Sequence, residues 1–140
     1  MTDSQDNVKA LRHAYQEWHS TLGGSVQTWL DLLADDVAMR SPGGSAPALD
    51  FAKPRQGKAE AEQYFASVLA AWEMVHFTPE VFIAEADRVV VISRVAFKYR
   101  ETGKVVDSPK ADVFRFRDGK VIEFTEFFDT AAALAATKPD

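Results

Sequence analysis

The chain has 140 residues, with 16 Lys and Arg against 21 Asp and Glu, a net charge of −5 and no cysteine. That length predicts one domain, 1–140, whose core holds without staples, and the missing cysteine excludes disulfides, thiolate chemistry and cysteine-bound metals. The acidic balance and scattered Arg and Lys argue against a nucleic-acid partner; the polar start and the lack of any bilayer-length apolar run argue against a membrane, so a cytoplasmic protein is expected.

Val8, Leu11, Tyr15, Trp18 and Leu22 recur at steps of three and four, which predicts a helix ending before Gly23-Gly24. Ser25 is placed to cap a second, short helix with Val26, Trp29, Leu30 and Leu33 on its buried face. It stops at Ala34-Asp35-Asp36, where adjacent acids diverge in direction and end the helix rather than form a reactive pair. A short strand, Val37 to Arg40, follows, with Arg40 turned away from Met39 and Ser41 in a structural role. The irregular stretch Ser41 to Gln56 is long enough to be functional or mobile.

From Lys58 to Met74, the repeat of Ala61, Tyr64, Phe65, Val68, Leu69 and Trp72 predicts the longest helix. After Pro79 the period changes to two: Val81 to Ala84, a turn at Asp87-Arg88, Val89 to Tyr99, a turn at Thr102-Gly103, then Lys110 to Phe116 and Val121 to Phe128. Ala131 to Ala136 reads as a short terminal helix or a frayed tail within 130–140. Three N-terminal helices, a short first strand and four C-terminal strands make an α+β fold, a cone-shaped curved antiparallel sheet wrapped around the long helix.

The last hairpin sets carboxylates among aromatics. Asp112 shares a strand face with Phe114 and Phe116, and Glu126 shares one with Ile122, Phe124 and Phe128. A three-residue loop, Arg117-Asp118-Gly119, puts Asp112 opposite Phe124 and Lys110 opposite Glu126, with the two carboxylates on a diagonal about 7–8 Å apart. Burial and repulsion from Glu126 would then raise the Asp112 pKa and keep its proton on; the plainer alternative pairs Asp112 with Lys110 or Arg40. Glu126 either carries a proton or is neutralised by Lys110. Asp129 falls where a helical turn can begin and reads as its cap. A buried Tyr15 hydroxyl needs a partner, and a pocket carboxyl can supply it. His13, His19 and His76 fit no metal-ligand spacing and read as solvated or capping. Trp72, Phe97, Phe114, Phe124 and Phe128 are either cavity lining or plain core.

The order of elements, together with Leu33-Ala34-Asp35-Asp36-Val37-Ala38-Met39-Arg40-Ser41-Pro42, Gly57-Lys58-Ala59-Glu60-Ala61, Asp112 to Lys120 and Glu126-Phe127-Phe128-Asp129-Thr130, resembles the nuclear transport factor 2-like superfamily, in particular its SnoaL-like and ketosteroid isomerase-like members. The resemblance implies a cofactor-independent acid–base enzyme of isomerase or cyclase type acting on a small apolar, oxygen-bearing compound. Tyr15 resembles the helix-one tyrosine of the isomerase oxyanion hole and Asp112 its proton-donating acid. Ser41 stands where that family carries its base, and Glu126 or Asp129 stands where SnoaL-like cyclases carry an acid. The site so implied has Tyr15, Asp112 and Glu126 as catalytic residues and Trp18, Met39, Ser41, Trp72, Phe97, Phe114, Phe124 and Phe128 around the substrate, with no metal and no cofactor. Lys110-Ala111-Asp112 also resembles, with lysine for arginine, the spacing of limonene epoxide hydrolase-like members, which implies water activation as an alternative. A third reading is a noncatalytic ligand-binding or scaffold domain. A homodimer is expected through the sheet, with Val91, Arg94 and Ala96 facing outward.

Overall fold

The computed structural model describes residues 4–44 and 46–140; Ser45, inside the long irregular stretch, lies outside the described residues. Helix α1 spans Ser4–Ser20 and buries Leu11, Tyr15 and Trp18 of the stripe its period predicts, together with Asn7 and Ala14, while Val8 is half-buried. Leu22 does not belong to that stripe. It follows the helix with φ 50° and is 53 % exposed, because the chain reverses there and at Gly23, whose φ is 86°. Helix α2 (Val26–Leu32) begins after Ser25, whose side chain makes no capping bond. Leu33 opens strand β1 (Leu33–Arg40) instead of closing the helix, so Asp35 and Asp36 are exposed strand residues.

The stretch after β1 is not a bare loop. Its one 3-10 turn, Asp50–Ala52, buries Phe51 and Ala52, and Leu49 beside it is fully buried. A two-residue strand β2 (Arg55–Gln56) then pairs antiparallel with β1. Helix α3 (Lys58–Ala71) ends three residues earlier than its periodicity suggests. Trp72 and Met74 are buried on alternate residues and start strand β3 (Trp72–Glu85). The strand runs through Pro79 because β3 is an edge of the sheet, where a missing N–H costs no ladder bond, and the register shifts between Pro79 and Val81.

Strands β4 (Arg88–Tyr99), β5 (Val105–Arg117) and β6 (Lys120–Phe127) complete a six-stranded, curved and unclosed sheet in the order β2-β1-β6-β5-β4-β3. Every neighbouring pair is antiparallel except β1 with β6, which run parallel. The class is α+β as expected, with one more strand than the sequence suggests and a mixed sheet. Helix α4 (Thr130–Ala136) closes the chain, capped by Asp129, whose Oδ1 accepts from the Ala132 amide at 2.9 Å. The helices cover one face of the sheet, and the core lies between the two layers.

Candidate active site

The β5–β6 hairpin decides where the acids go. Asp118 and Gly119 both have positive φ (51° and 78°), so the turn has two residues, with Arg117 opposite Lys120 and Phe116 opposite Val121. The register then shifts by one residue between Arg115 and Phe116, and beyond it Phe114 faces Phe124 and Asp112 faces Glu126. This corrects the three-residue loop and the diagonal expected from sequence: the two carboxylates are direct cross-strand neighbours, and neither Phe124 nor Lys110 holds the position assigned to it. The bulge leaves Val121, Phe124 and Glu126 all facing inward. Ile122, grouped with them by strict alternation, does not share their burial.

Asp112 is 2 % exposed and Glu126 1 %. Lys110, also on β5 with a side chain 10 % exposed, bridges them: its Nζ lies 2.5 Å from Asp112 Oδ1 and 3.0 Å from Glu126 Oε1. Tyr15 from α1 donates its hydroxyl to Asp112 Oδ2 at 2.5 Å. Tyr64 from α3 donates to Glu126 Oε1 at 2.9 Å, and Ser41, just past β1, donates to Glu126 Oε2. Five elements or their ends thus meet on one buried cluster of two carboxylates, one ammonium and three hydroxyls.

Burial, the largest influence on Asp112, lifts its carboxyl above the usual range; Lys110 pulls it back and Glu126 pushes it up again. For Lys110 burial works downward, but Asp112 and Glu126 together outweigh it and hold the ammonium above its ordinary value. Burial, then the adjacent carboxylates, drive the Tyr15 and Tyr64 hydroxyls well above theirs, so both are donors at neutral pH. Asp112 is both buried in the pocket and paired with Lys110. Arg40 has no part in this pairing; it is exposed.

The cluster forms one wall of a cavity with about 110 Å³ of free space, otherwise apolar. Trp18, Met39, Trp72, Phe97, Phe114, Phe124 and Phe128 all line it. Of the expected surround, Ser41 alone reaches the site through another residue, by its bond to Glu126. Asp129 and Ala133 border the cavity as well, so α4 covers part of it. Sequence reasoning missed three contributors. Tyr64 was counted as helix core, since nothing in a 3.6-residue period tells a phenol facing a carboxylate from one packed on leucine. Phe51 sits in the irregular stretch, its ring 5.5 Å from Phe128 and 6.4 Å from Trp72. The sequence presents Lys110 as a neutralising partner or as the lysine of an epoxide hydrolase-like spacing, whereas it is the hub that bridges both acids.

The histidines stand apart. His13 pairs with Glu17, and His19 Nδ1 accepts from the Phe77 amide at 3.2 Å. His76 lies 3.9 Å from Asp107.

A curved, unclosed sheet packed over helices is the fold of the nuclear transport factor 2-like class. The sequence profile of the SnoaL-like domain matches residues 11–124, and the chain belongs to that family. Among solved structures it is similar to a nuclear transport factor 2-like protein of unknown function from Burkholderia pseudomallei, at 24 % identity over 99 % of both chains with a TM-score of 0.84. It is also similar to TerC, crystallised with polyporic acid (23 % identity, 94 % of this chain and 98 % of that one, TM-score 0.80). A third is a protein from Jannaschia sp. proposed to be a SnoaL-like polyketide cyclase (22 %, 98 % and 95 %, TM-score 0.78). At these identities the likeness is one of fold. No curated protein matches the chain.

Proposed function

We propose that this protein binds a small, apolar, oxygen-bearing compound and catalyses proton transfer on it without a cofactor, as an isomerase or cyclase does. The observation that carries the reading is the Asp112–Lys110–Glu126 cluster, buried on an aromatic-lined cavity with the Tyr15 and Tyr64 hydroxyls against its two acids. Charges in such a place strengthen one another's hydrogen bonds and are screened less than in bulk water. Tyr15 turns its one O–H from Asp112 Oδ2 to the ligand's oxygen; Glu126 takes and returns the proton. Ser41 and Tyr64 fix the Glu126 carboxylate for that task.

Deuterium exchange at carbon next to the carbonyl of apolar, enolisable ketones tests the assignment. Wild type is expected to accelerate exchange, and Glu126→Gln and Asp112→Asn to lose about 10²-fold or more of that rate while remaining folded. Exchange unchanged in both variants removes these residues from the chemistry. Tight retention of apolar ligands with no exchange, indifferent to Asp112→Asn, would leave the noncatalytic binding domain.

One observation favours a second reading. Lys110 touches both carboxylates, the arrangement in which one acid activates water while the other protonates an opening ring, as in epoxide hydrolysis. Turnover of an apolar epoxide that disappears in Asp112→Asn supports it, and inertness across a panel of epoxides ends it. For the assembly we retain a homodimer, supported by the apolar outer face of the sheet described below.

A further inference from the structure

The proton-transfer reading uses the acids and the phenols but leaves Lys110 as a passive counter-ion, and its surroundings argue for more. An ammonium has three N–H groups. Among the described residues Lys110 meets two oxygens, Asp112 Oδ1 and Glu126 Oε1, and no other hydrogen-bond acceptor. The rings of Phe77 and Phe124 lie 5.3 and 5.7 Å from Nζ, and both line the same cavity as Lys110. One strong donor therefore stands at an apolar cavity with only ring faces to meet it.

The charge count gives that donor a use. Two carboxylates share one ammonium, so a ligand arriving as an anion would add a second uncompensated negative charge to a buried site, which is costly. A neutral ligand that loses a proton to Glu126 inside the cavity adds none. As Glu126 becomes a carboxylic acid it no longer needs the ammonium, and the negative charge now on the ligand's oxygen does. The total charge of the cavity is the same before and after, and the Lys110 N–H that faces the rings is placed to take that oxygen.

We propose that Lys110 is a catalytic residue, the electrophile that exchanges Glu126 for the ligand's oxyanion, and that the ligands of this site are neutral compounds able to place a negative charge on oxygen, namely enolisable ketones and phenols. For a ketone the step is balanced. The C–H bond beside the carbonyl breaks and its electron pair becomes the C=C bond; the carbonyl π pair moves onto oxygen; the proton goes to Glu126. The third Lys110 N–H then holds the oxygen, and the ammonium's charge pairs with it in place of Glu126. For a phenol only the O–H bond breaks, with the same two recipients. The inference rests on the proton-transfer reading, yet it is tested without turnover.

The test is the ionisation of bound para-nitrophenol, a chromophore whose phenolate absorbs apart from its neutral form. In wild type the bound dye is expected to titrate about one pH unit or more below the free dye, a tenfold or greater preference for the phenolate. Lys110→Arg should keep part of that shift and Lys110→Met should abolish it. Removing the ammonium leaves two buried acids facing each other, so Lys110→Met combined with Asp112→Asn, which restores the charge balance, is measured beside it, each variant checked for fold by circular dichroism. A shift that persists in the folded methionine variants overturns the proposal, as does a bound dye that stays neutral in wild type or a cavity that takes up no dye. Deuterium exchange without dye ionisation would sink this role for Lys110 and spare the proton-transfer reading; dye ionisation without exchange would do the reverse.

Discussion

Tyr15, Tyr64 and Lys110 are joined by a common sign of perturbation. Each holds its proton more tightly in the folded protein than in the unfolded chain, so each contributes stability that is whole below its unfolded value, about 10 for tyrosine and 10.4 for lysine. That contribution is lost as pH rises through the folded values. Asp112 is also raised, so its share is present below the unfolded carboxyl value of about 3.9 and is spent as pH climbs through its folded one. Asp36 and Asp87 act in the opposite sense: side-chain hydrogen bonds from Arg117 and Arg115 lower them, and their contribution disappears as pH falls through the folded values. The alkaline limb is thus set by the cavity. We expect the thermal midpoint to fall steeply above about pH 10, with the Tyr15 and Tyr64 phenols ionising only as the protein unfolds. Absorbance titration against far-ultraviolet circular dichroism checks this, and full phenol ionisation with the fold intact would contradict it.

Among the elements, α4 has the least to hold it: seven residues, of which Ala133 and Ala136 are buried, and a cap from Asp129. An isolated helix of that length is not stable in water, so its docking and its cap decide whether it forms. Asp129→Ala removes the acceptor of the Ala132 amide and is expected to cost about 1 kcal/mol. Because Asp129 and Ala133 border the cavity, the loss should appear as faster hydrogen exchange in residues 132–136, with the β5 and β6 amides unaffected. Equal protection in variant and wild type would show that packing alone holds the helix. The sequence foretold this cap, as it did most of the inward stripe of α1, because each depends on neighbours within a turn; it left the aromatics open between cavity lining and core. It did not foretell the β5–β6 register. A bulge at Ile122 has no compositional mark; without it the two-residue turn would set Asp112 opposite Thr125 and Glu126 on the other face, and the extra residue makes the two acids a facing pair. The end of α3 was hidden for a related reason, since Trp72 and Met74 satisfy a period of two while Trp72 also continues the helical one. The parallel pairing of β1 with β6 and the two residues of β2 are long-range facts that no local pattern carries.

For the molecule as a whole, the outward face of the sheet carries the case for a dimer, and on a different set of residues from those expected. Val91 pairs with Asp112 and is fully buried, and Ala96 is 3 % exposed, so of the three residues expected outside only Arg94 is available. The outward row beside Asp112 and Glu126 runs instead through Val81, Ile92, Ala111 and Phe127, each aligned with the next across four strands, and a second row adds Ile83, Val90 and Val113. Val81, Ile83 and Phe127 are 44, 51 and 50 % exposed. Contiguous apolar surface of this kind on a sheet face marks an interaction site. The charges flanking it, Arg94 with Asp107 on one side and Arg115 with Glu123 on the other, are already paired within the chain, so a second copy presenting the same face meets no net repulsion there. Phe127→Glu places a charge at the β6 end of that row, on the face away from the cavity. The wild type is expected to sediment as a dimer and the variant as a monomer with its ability to bind para-nitrophenol retained. A monomeric wild type, or a variant dimer as tight as the wild type, would move the interface elsewhere. Loss of dye binding on dissociation would mean that the second copy supports the cavity, because Phe127 and Glu126 are adjacent on one strand and any repacking of the outer row is transmitted to the acid behind it.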